Sequence, residues 1–196
     1  MKILFAVLSY LLGSVPTGYL LVRWTGRKDV RDLGSGSTGA TNVLRVKGWK
    51  TALPVAVFDI LKGFLPAFLA LKWFGDPAFA ALCGLIAVVG HCYPFSIGFR
   101  GGKGVATSLG AYAAIALWPC LASLGVFFAA VGLTGYVSLG SILGSIAFPV
   151  IVLATGGPWR VAVLSLVIAA VVILRHAGNI VRLINGRERK LGEKAP

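Results

Sequence analysis

Residues 3–22 read ILFAVLSYLLGSVPTGYLLV, an apolar run about long enough to cross the roughly 30 Å hydrocarbon core of a bilayer. No small-residue cleavage site leading into a soluble domain follows, so the run is expected to remain as a first spanning helix and not to be removed as a signal. Six further apolar windows repeat the pattern, near residues 52–71, 78–97, 105–118, 120–134, 139–155 and 159–176. The windows at 105–118 and 120–134 are short. A short helix must lie in thinned bilayer, be covered by its neighbours, or turn polar backbone toward a cavity. The expected fold is all-α: a polytopic membrane protein of about seven short transmembrane helices, forming a single integral-membrane domain over residues 1–196.

Composition agrees, with 57% hydrophobic and only 13% charged residues, against about 25% charged in an average soluble domain. The net charge of +13 sits in loops between apolar segments. That placement points to membrane lipids or anionic substrates and away from nucleic acid. Cys83, Cys92 and Cys120 lie in apolar surroundings without CxxC spacing, and read as small core side chains. Basic residues crowd the first loop (Arg23 to Lys50), the third loop (Arg100, Lys103) and the tail (Arg175 to Lys194), whereas the opposite side keeps Lys2, Lys72 and Arg160. The positive-inside rule then places the N-terminus outside and the C-terminus in the cytoplasm, with the polar interhelical segments facing the cytoplasm. Gly13, Ser14, Gly84, Gly110, Gly140 and Gly144 read as close helix-packing positions, and Pro16 and Pro149 as kinks.

Four polar segments interrupt this pattern. Residues 34–45, GSGSTGATNVLR, combine Gly34, Gly36 and Gly39 with the donors Ser35, Ser37, Thr38, Thr41 and Asn42. A helix beginning near Val43 would add its free amides, and Arg45 a guanidinium fork, so the stretch suits an anion. Its literal GxGxxG follows a membrane helix and not a strand, which argues against a dinucleotide fold. In GHCYPFSIGFRGGKGVAT, residues 90–107, Lys103 stands among Gly101, Gly102 and Gly104 just before a helix, again suited to an oxyanion. It is no Walker loop, because Ile97 and Gly104 occupy the places of the first glycine and of the Ser or Thr.

Within the second span, Asp59 and Lys62 share a helix face. A charge at mid-bilayer costs about 2.5–3.5 kcal/mol, so the pair is expected inside the bundle or at a watery entrance. At the end of the last span His176 and Asn179 share a face, adjoining one lined by Arg175, Asn179 and Arg182. His91, inside the third helix, reads as a packing or hydrogen-bonding residue. Ser96 and Val181 stand five residues after the two histidines, so no HxxxxD is present; HExxH, GxSxG and a carboxylate pair are missing too. An enzyme built on this sequence works without a strong protein nucleophile.

Together Gly34–Arg45, Asp59–Gly63, Gly90–Thr107 and His176–Ile180, in that order on seven apolar segments, resemble the bacterial PlsY family of acyl-phosphate:glycerol-3-phosphate acyltransferases. The likeness covers essentially the whole chain. It departs at Ser37, where the family usually has Asn, at Ser96, where Phe is common, and at Arg100, where Lys is common. The resemblance implies transfer of a fatty acyl group from acyl phosphate to the sn-1 hydroxyl of glycerol 3-phosphate. The products are lysophosphatidic acid and phosphate, in phospholipid biosynthesis at the bacterial inner membrane. It implies no cofactor, no metal and no covalent acyl-enzyme, and it leaves the oligomeric state open, a monomer being the simplest reading.

On this reading residues 34–42 cradle one phosphate with Lys103, helped by Gly101, Gly102 and Gly104, while Arg45 and Ser35 bind the other and Lys62 adds a further cation. His176 and Asn179 orient the glycerol hydroxyl or the transferring carbonyl. Either His176 or a substrate phosphate takes the proton. A transporter of phosphorylated solutes would use similar loops but needs a polar path outward, and the outer halves of the spans are almost wholly apolar. A structural lipid-binding subunit would leave the clustered Ser, Asn and His unexplained.

Overall fold

In a computed structural model, which describes residues 1–193, the first apolar run forms two helices, α1 (Lys2–Gly13) and α2 (Thr17–Gly26). Lys194 of the basic tail lies outside the described residues. Pro16 has no N–H to give and its ring obstructs the preceding turn, so the helix breaks over residues 14–16. The break is braced from the second span. Lys62 Nζ donates to the Val15 carbonyl at 2.9 Å, Thr17 Oγ1 donates to Asp59 Oδ1 at 2.6 Å, and Asp59 and Lys62 form an ion pair at 2.7 Å.

The order continues with α3 (Ala40–Lys47), α4 (Trp49–Phe74), α5 (Pro77–Cys92), α6 (Val105–Ile115), α7 (Leu117–Thr134), α8 (Val137–Ala154), α9 (Trp159–Arg175) and α10 (Ala177–Ile184), with no strand among the described residues. Asp76 caps α5 by accepting from the amides of Ala78 and Phe79, and Pro77 opens it at a position that needs no N–H. Pro54, Pro66 and Pro149 lie inside α4 and α8 without ending them.

Five stretches are long and apolar enough to cross a membrane: α1 with α2, α4, residues 77–97, α7 and α8. A sixth is α9 with α10, a pair bent by 61°. All seven expected apolar segments are helical, but α6 has 11 residues, about 16 Å of rise, too short to fill the hydrocarbon core by its own length. Instead it packs on α4, α5 and α7, so protein covers its ends. Leu117 and Trp118, expected at the end of the fourth span, begin α7 and bring it to 18 residues.

Backbones approach closely where side chains are small. A Cβ at Gly110 would overlap the Ile60 carbonyl, and one at Gly63 the Thr107 carbonyl, which seats α6 on α4. Gly13 against Ala87 and Gly84 against Ala111 make similar contacts. The main core gathers Val88, Tyr112, Phe148, Ile168 and Val172, with the Tyr112 and Phe148 rings stacked 3.7 Å apart. All five tryptophans sit at helix ends and are between 64% and 87% exposed. Trp24 and Trp49 mark one end of the bundle, and Trp73, Trp118 and Trp159 the other, the pattern of two interfacial aromatic belts. The segments 27–48, 93–104, 135–136 and 176–193 all emerge at the end marked by Trp24 and Trp49.

Candidate active site

The loop before α3 is folded around one amide. Asn42 is 1% exposed; its Oδ1 accepts from the Ser35 N–H at 2.8 Å, and its Nδ2 donates to the carbonyls of Ser37 (2.9 Å), Leu33 (3.0 Å) and Val30 (3.2 Å). Gly34 turns at φ +61°, where a Cβ would overlap Asn42 Oδ1. The reading of Asn42 as a donor to substrate is therefore corrected. Its donors are spent on the loop, and its part is to hold Ser35 and Ser37 in place. The helix also starts earlier than expected, at Ala40 and not Val43.

The second loop is pinned from two sides. Gly101 and Gly102 donate their amides to the carbonyls of Cys92 and His91, each at 3.1 Å, and Arg175 grips the carbonyls of Gly102 and Gly101 at 3.0 Å each. A Cβ at Gly102 would overlap the His91 ring, and Gly104 enters α6 at φ +90°. Gly101 and Gly102 thus let the loop lie flat on His91, leaving Lys103 as the group that reaches the cavity.

Lys103 Nζ donates to Asn179 Oδ1 at 2.7 Å, and Asn179 Nδ2 donates to Glu188 Oε1 at 2.6 Å. Ser138 Oγ donates to the same oxygen at 3.0 Å, and Arg182 Nε to Glu188 Oε2 at 2.8 Å. Burial pushes the Lys103 ammonium down to about 8, with Glu188 pulling it up and Arg182, Arg45 and Arg175 adding to the fall. Burial also pushes Glu188 up, but the hydrogen bonds from Asn179, Arg182 and Ser138 outweigh it and hold the carboxyl below its ordinary value. At the bend between α9 and α10, His176 Nδ1 lies 2.7 Å from the Val172 carbonyl. A carbonyl only accepts, so Nδ1 carries a proton, and in the neutral ring Nε2 keeps its lone pair.

These groups meet in one cavity of about 320 Å³. Its polar end is lined by Ser35, Ser37, Gly39, Thr41, Asn42, Arg45, Lys103, Gly104, His176 and Asn179; its apolar end by Leu109, Tyr112, Leu124, Phe127 and Phe128. Gly34 faces a smaller recess beside it. Gly36, Thr38, Gly101 and Gly102 line neither. Lys62 does not line the cavity either. Its expected role as a substrate cation is corrected: the ammonium is occupied by Asp59 and by the Val15 carbonyl at the break.

Two features are not anticipated in the sequence reading. Ser138, Ser141 and Ser145 line the cavity from α8, and their i, i+3, i+7 spacing is a one-face stripe that helical periodicity could have revealed. Glu188 enters from the tail, where a lone carboxylate among Arg187, Arg189 and Lys190 carries no local signal.

The family model described as glycerol-3-phosphate acyltransferase matches residues 3–186. Among curated relatives, the glycerol-3-phosphate acyltransferase of Synechococcus sp. (strain CC9902) is 45% identical, over 98% of this chain and 96% of its own. That of Parasynechococcus marenigrum (strain WH8102) is 46% identical, over 98% and 91%. Two crystal structures of PlsY, an integral membrane glycerol 3-phosphate acyltransferase, superpose on the fold. The glycerol 3-phosphate form has a TM-score of 0.94 and 41% identity, covering 97% of this chain and 96% of that one. The lysophosphatidic acid form has 0.91 and 40%, covering 97% and 95%.

Proposed function

This chain belongs to the glycerol-3-phosphate acyltransferase family, and we propose that it moves a fatty acyl group from acyl phosphate to the sn-1 hydroxyl of glycerol 3-phosphate, giving lysophosphatidic acid and phosphate. The observation that carries this reading is the continuity of the cavity, whose cationic end at Lys103 and Arg45 runs into the apolar slot at Leu124, Phe127 and Phe128. Such a space suits two phosphate groups and one acyl chain at once.

The glycerol hydroxyl oxygen attacks the acyl carbonyl carbon, the bond from that carbon to the phosphate oxygen breaks, and phosphate leaves with the electron pair. His176 Nε2 accepts the hydroxyl proton and returns it to the departing phosphate, so that hydrogen phosphate balances the reaction. Because acyl phosphate is a mixed anhydride with a good leaving group, no protein nucleophile is required. Lys103 and Arg45, with the residue 34–42 loop, hold the phosphates, and Asn179 fixes the Lys103 ammonium. The basic end of the bundle faces the cytoplasm, in a bacterial inner membrane.

The test is incubation of purified protein with labelled glycerol 3-phosphate and, separately, palmitoyl phosphate, palmitoyl-CoA and palmitoyl-acyl carrier protein. Label should enter 1-palmitoyl lysophosphatidic acid with the acyl phosphate alone. K103A and H176A should abolish turnover with expression intact. Product from either of the other donors at comparable rate contradicts the reading.

A further inference from the structure

The segments 27–48 and 93–104 both reach the polar end of the cavity, and among the described residues one hydrogen bond joins them directly. Arg31 Nη1 donates to the Ile97 carbonyl at 2.7 Å, across 66 positions of chain. The guanidinium is held for that contact. Its Nε reaches both Asp29 oxygens at 3.0 and 3.1 Å, and its Nη2 donates to Oδ2 at 2.7 Å. The guanidinium carbon also lies 5.0 Å from the centre of the Tyr19 ring. The two side chains of the ion pair are 25% and 23% exposed, so the pair adds little stability of its own. What its fork geometry supplies is direction, which leaves Nη1 aimed at Ile97.

Each end of this bond leads to a group in the cavity. On the first segment Arg31 stands between Val30 and Leu33, whose carbonyls accept from Asn42 Nδ2, and Asn42 Oδ1 in turn accepts from the Ser35 N–H. On the second, the Ile97 carbonyl belongs to the peptide that enters a turn in which Gly98 and Phe99 take φ +69° and +60°. A bulky residue in the left-handed region is disfavoured and persists where its surroundings hold it. From that turn the chain runs through Gly101 and Gly102 to Lys103. Arg31 itself lines neither the cavity nor the recess beside it, so it acts on the site only through the segments it joins.

We propose that Arg31 is a positioning residue: its bond to Ile97 sets the separation of Ser35 on one segment from Lys103 on the other, and with it the seat in which the two grip substrate together. That the seat takes phosphate rests on the function proposed above; the clamp rests on the hydrogen bond between the segments. Releasing it lets the second segment draw away and admits water to Lys103. Burial is the main cause that lowers that ammonium to about 8, so hydration raises it toward the ordinary lysine value of about 10.4. The charged and titratable groups around Lys103 are Arg45, Arg175, His176, Arg182 and Glu188, and a substitution at Arg31 replaces none of them.

The experiment compares wild type, R31Q and K28Q, the last removing one positive charge from an exposed position of the same segment. Amide hydrogen exchange of the full chain in detergent, without substrate, should be faster over residues 93–104 in R31Q and unchanged there in K28Q. With palmitoyl phosphate and glycerol 3-phosphate, R31Q should lose about tenfold to a hundredfold in kcat/KM. Its alkaline limb should stand at least about one pH unit above that of wild type, and K28Q should match wild type in both respects. Should R31Q not fold, D29N, which keeps the guanidinium but frees it from its carboxylate, takes its place and should show the same changes at smaller size. Wild-type exchange over 93–104 in the clamp variant, an unmoved alkaline limb, or equal changes in K28Q overturns the proposal. Exchange is read without substrate, so failure of the donor assignment shows in the donor comparison alone and the clamp is still decided by exchange.

Discussion

In the proposed function Lys103 carries the anion chemistry of the cavity, and its environment would make that chemistry depend on pH. Burial lowers its pKa to about 8 in the unliganded protein, so above that value the cationic, phosphate-binding form falls about tenfold per pH unit. The ratio kcat/KM for glycerol 3-phosphate reports the free enzyme and should therefore decline above about pH 8. A bound phosphate dianion favours the ammonium, so kcat at saturation should hold to higher pH. In K103R, where the cation persists, the alkaline limb of kcat/KM should vanish; an unchanged limb would assign it to another group. Asn42 makes the complementary case of a polar residue spent on architecture. N42A removes four hydrogen bonds from a buried loop and should lower stability by about 1–3 kcal/mol. Thermal unfolding in detergent checks this, together with a raised KM as the loop loosens. Neither the shifted ammonium nor the spent amide is legible in a sequence. Glycines, hydroxyls and amides at 34–42 suit an anion site, but whether a given amide faces ligand or backbone depends on how Val30, Leu33 and Ser37 are brought around it.

At the scale of elements, the broken first span depends on the second. Pro16 opens the helix, and Lys62 and Asp59 tie the break to the second span through the Val15 carbonyl and the Thr17 hydroxyl. K62M leaves the buried Asp59 carboxylate with only His91, whose Nδ1 lies 3.6 Å away, as a charge partner and should cost up to about 3–5 kcal/mol, whereas D59L/K62M removes both charges and should recover much of that loss. Unfolding midpoints of the two variants decide it; equal destabilisation would put the weight on the Val15 contact and not on the unpaired charge. In the sequence these charges share a face inside a span, and the resemblance adds Lys62 to the cations of the substrate site. The partner that claims Lys62 is a carbonyl 47 positions away, which no local pattern reveals. The apolar windows were legible because each helix buries or exposes its own hydropathy. The 11-residue length of α6 was obscured, because apolar residues run through Ala116 into α7 without a polar boundary. Glu188 reaches the site only because the tail folds back on α8, a long-range event with no compositional trace.

For the whole molecule, the site loops converge at one end of the bundle while lipid-facing side chains and two tryptophan belts wrap the rest. Positive-inside orientation predicts that a cysteine at exposed Asn185 reacts with a membrane-impermeant maleimide only after the inner membrane is opened; labelling in intact spheroplasts would reverse the topology. The central claim is that one cavity seats the phosphates at its cationic end and the acyl chain in the slot beside Leu124, Phe127 and Phe128. The most direct measurement compares wild type and L124W for transfer to glycerol 3-phosphate from palmitoyl phosphate and from butyryl phosphate. The account predicts that the indole fills the slot and cuts kcat/KM for the long donor by at least about tenfold, leaving the short donor within a few-fold of wild type. Equal losses for both donors, or no loss for either, would contradict it.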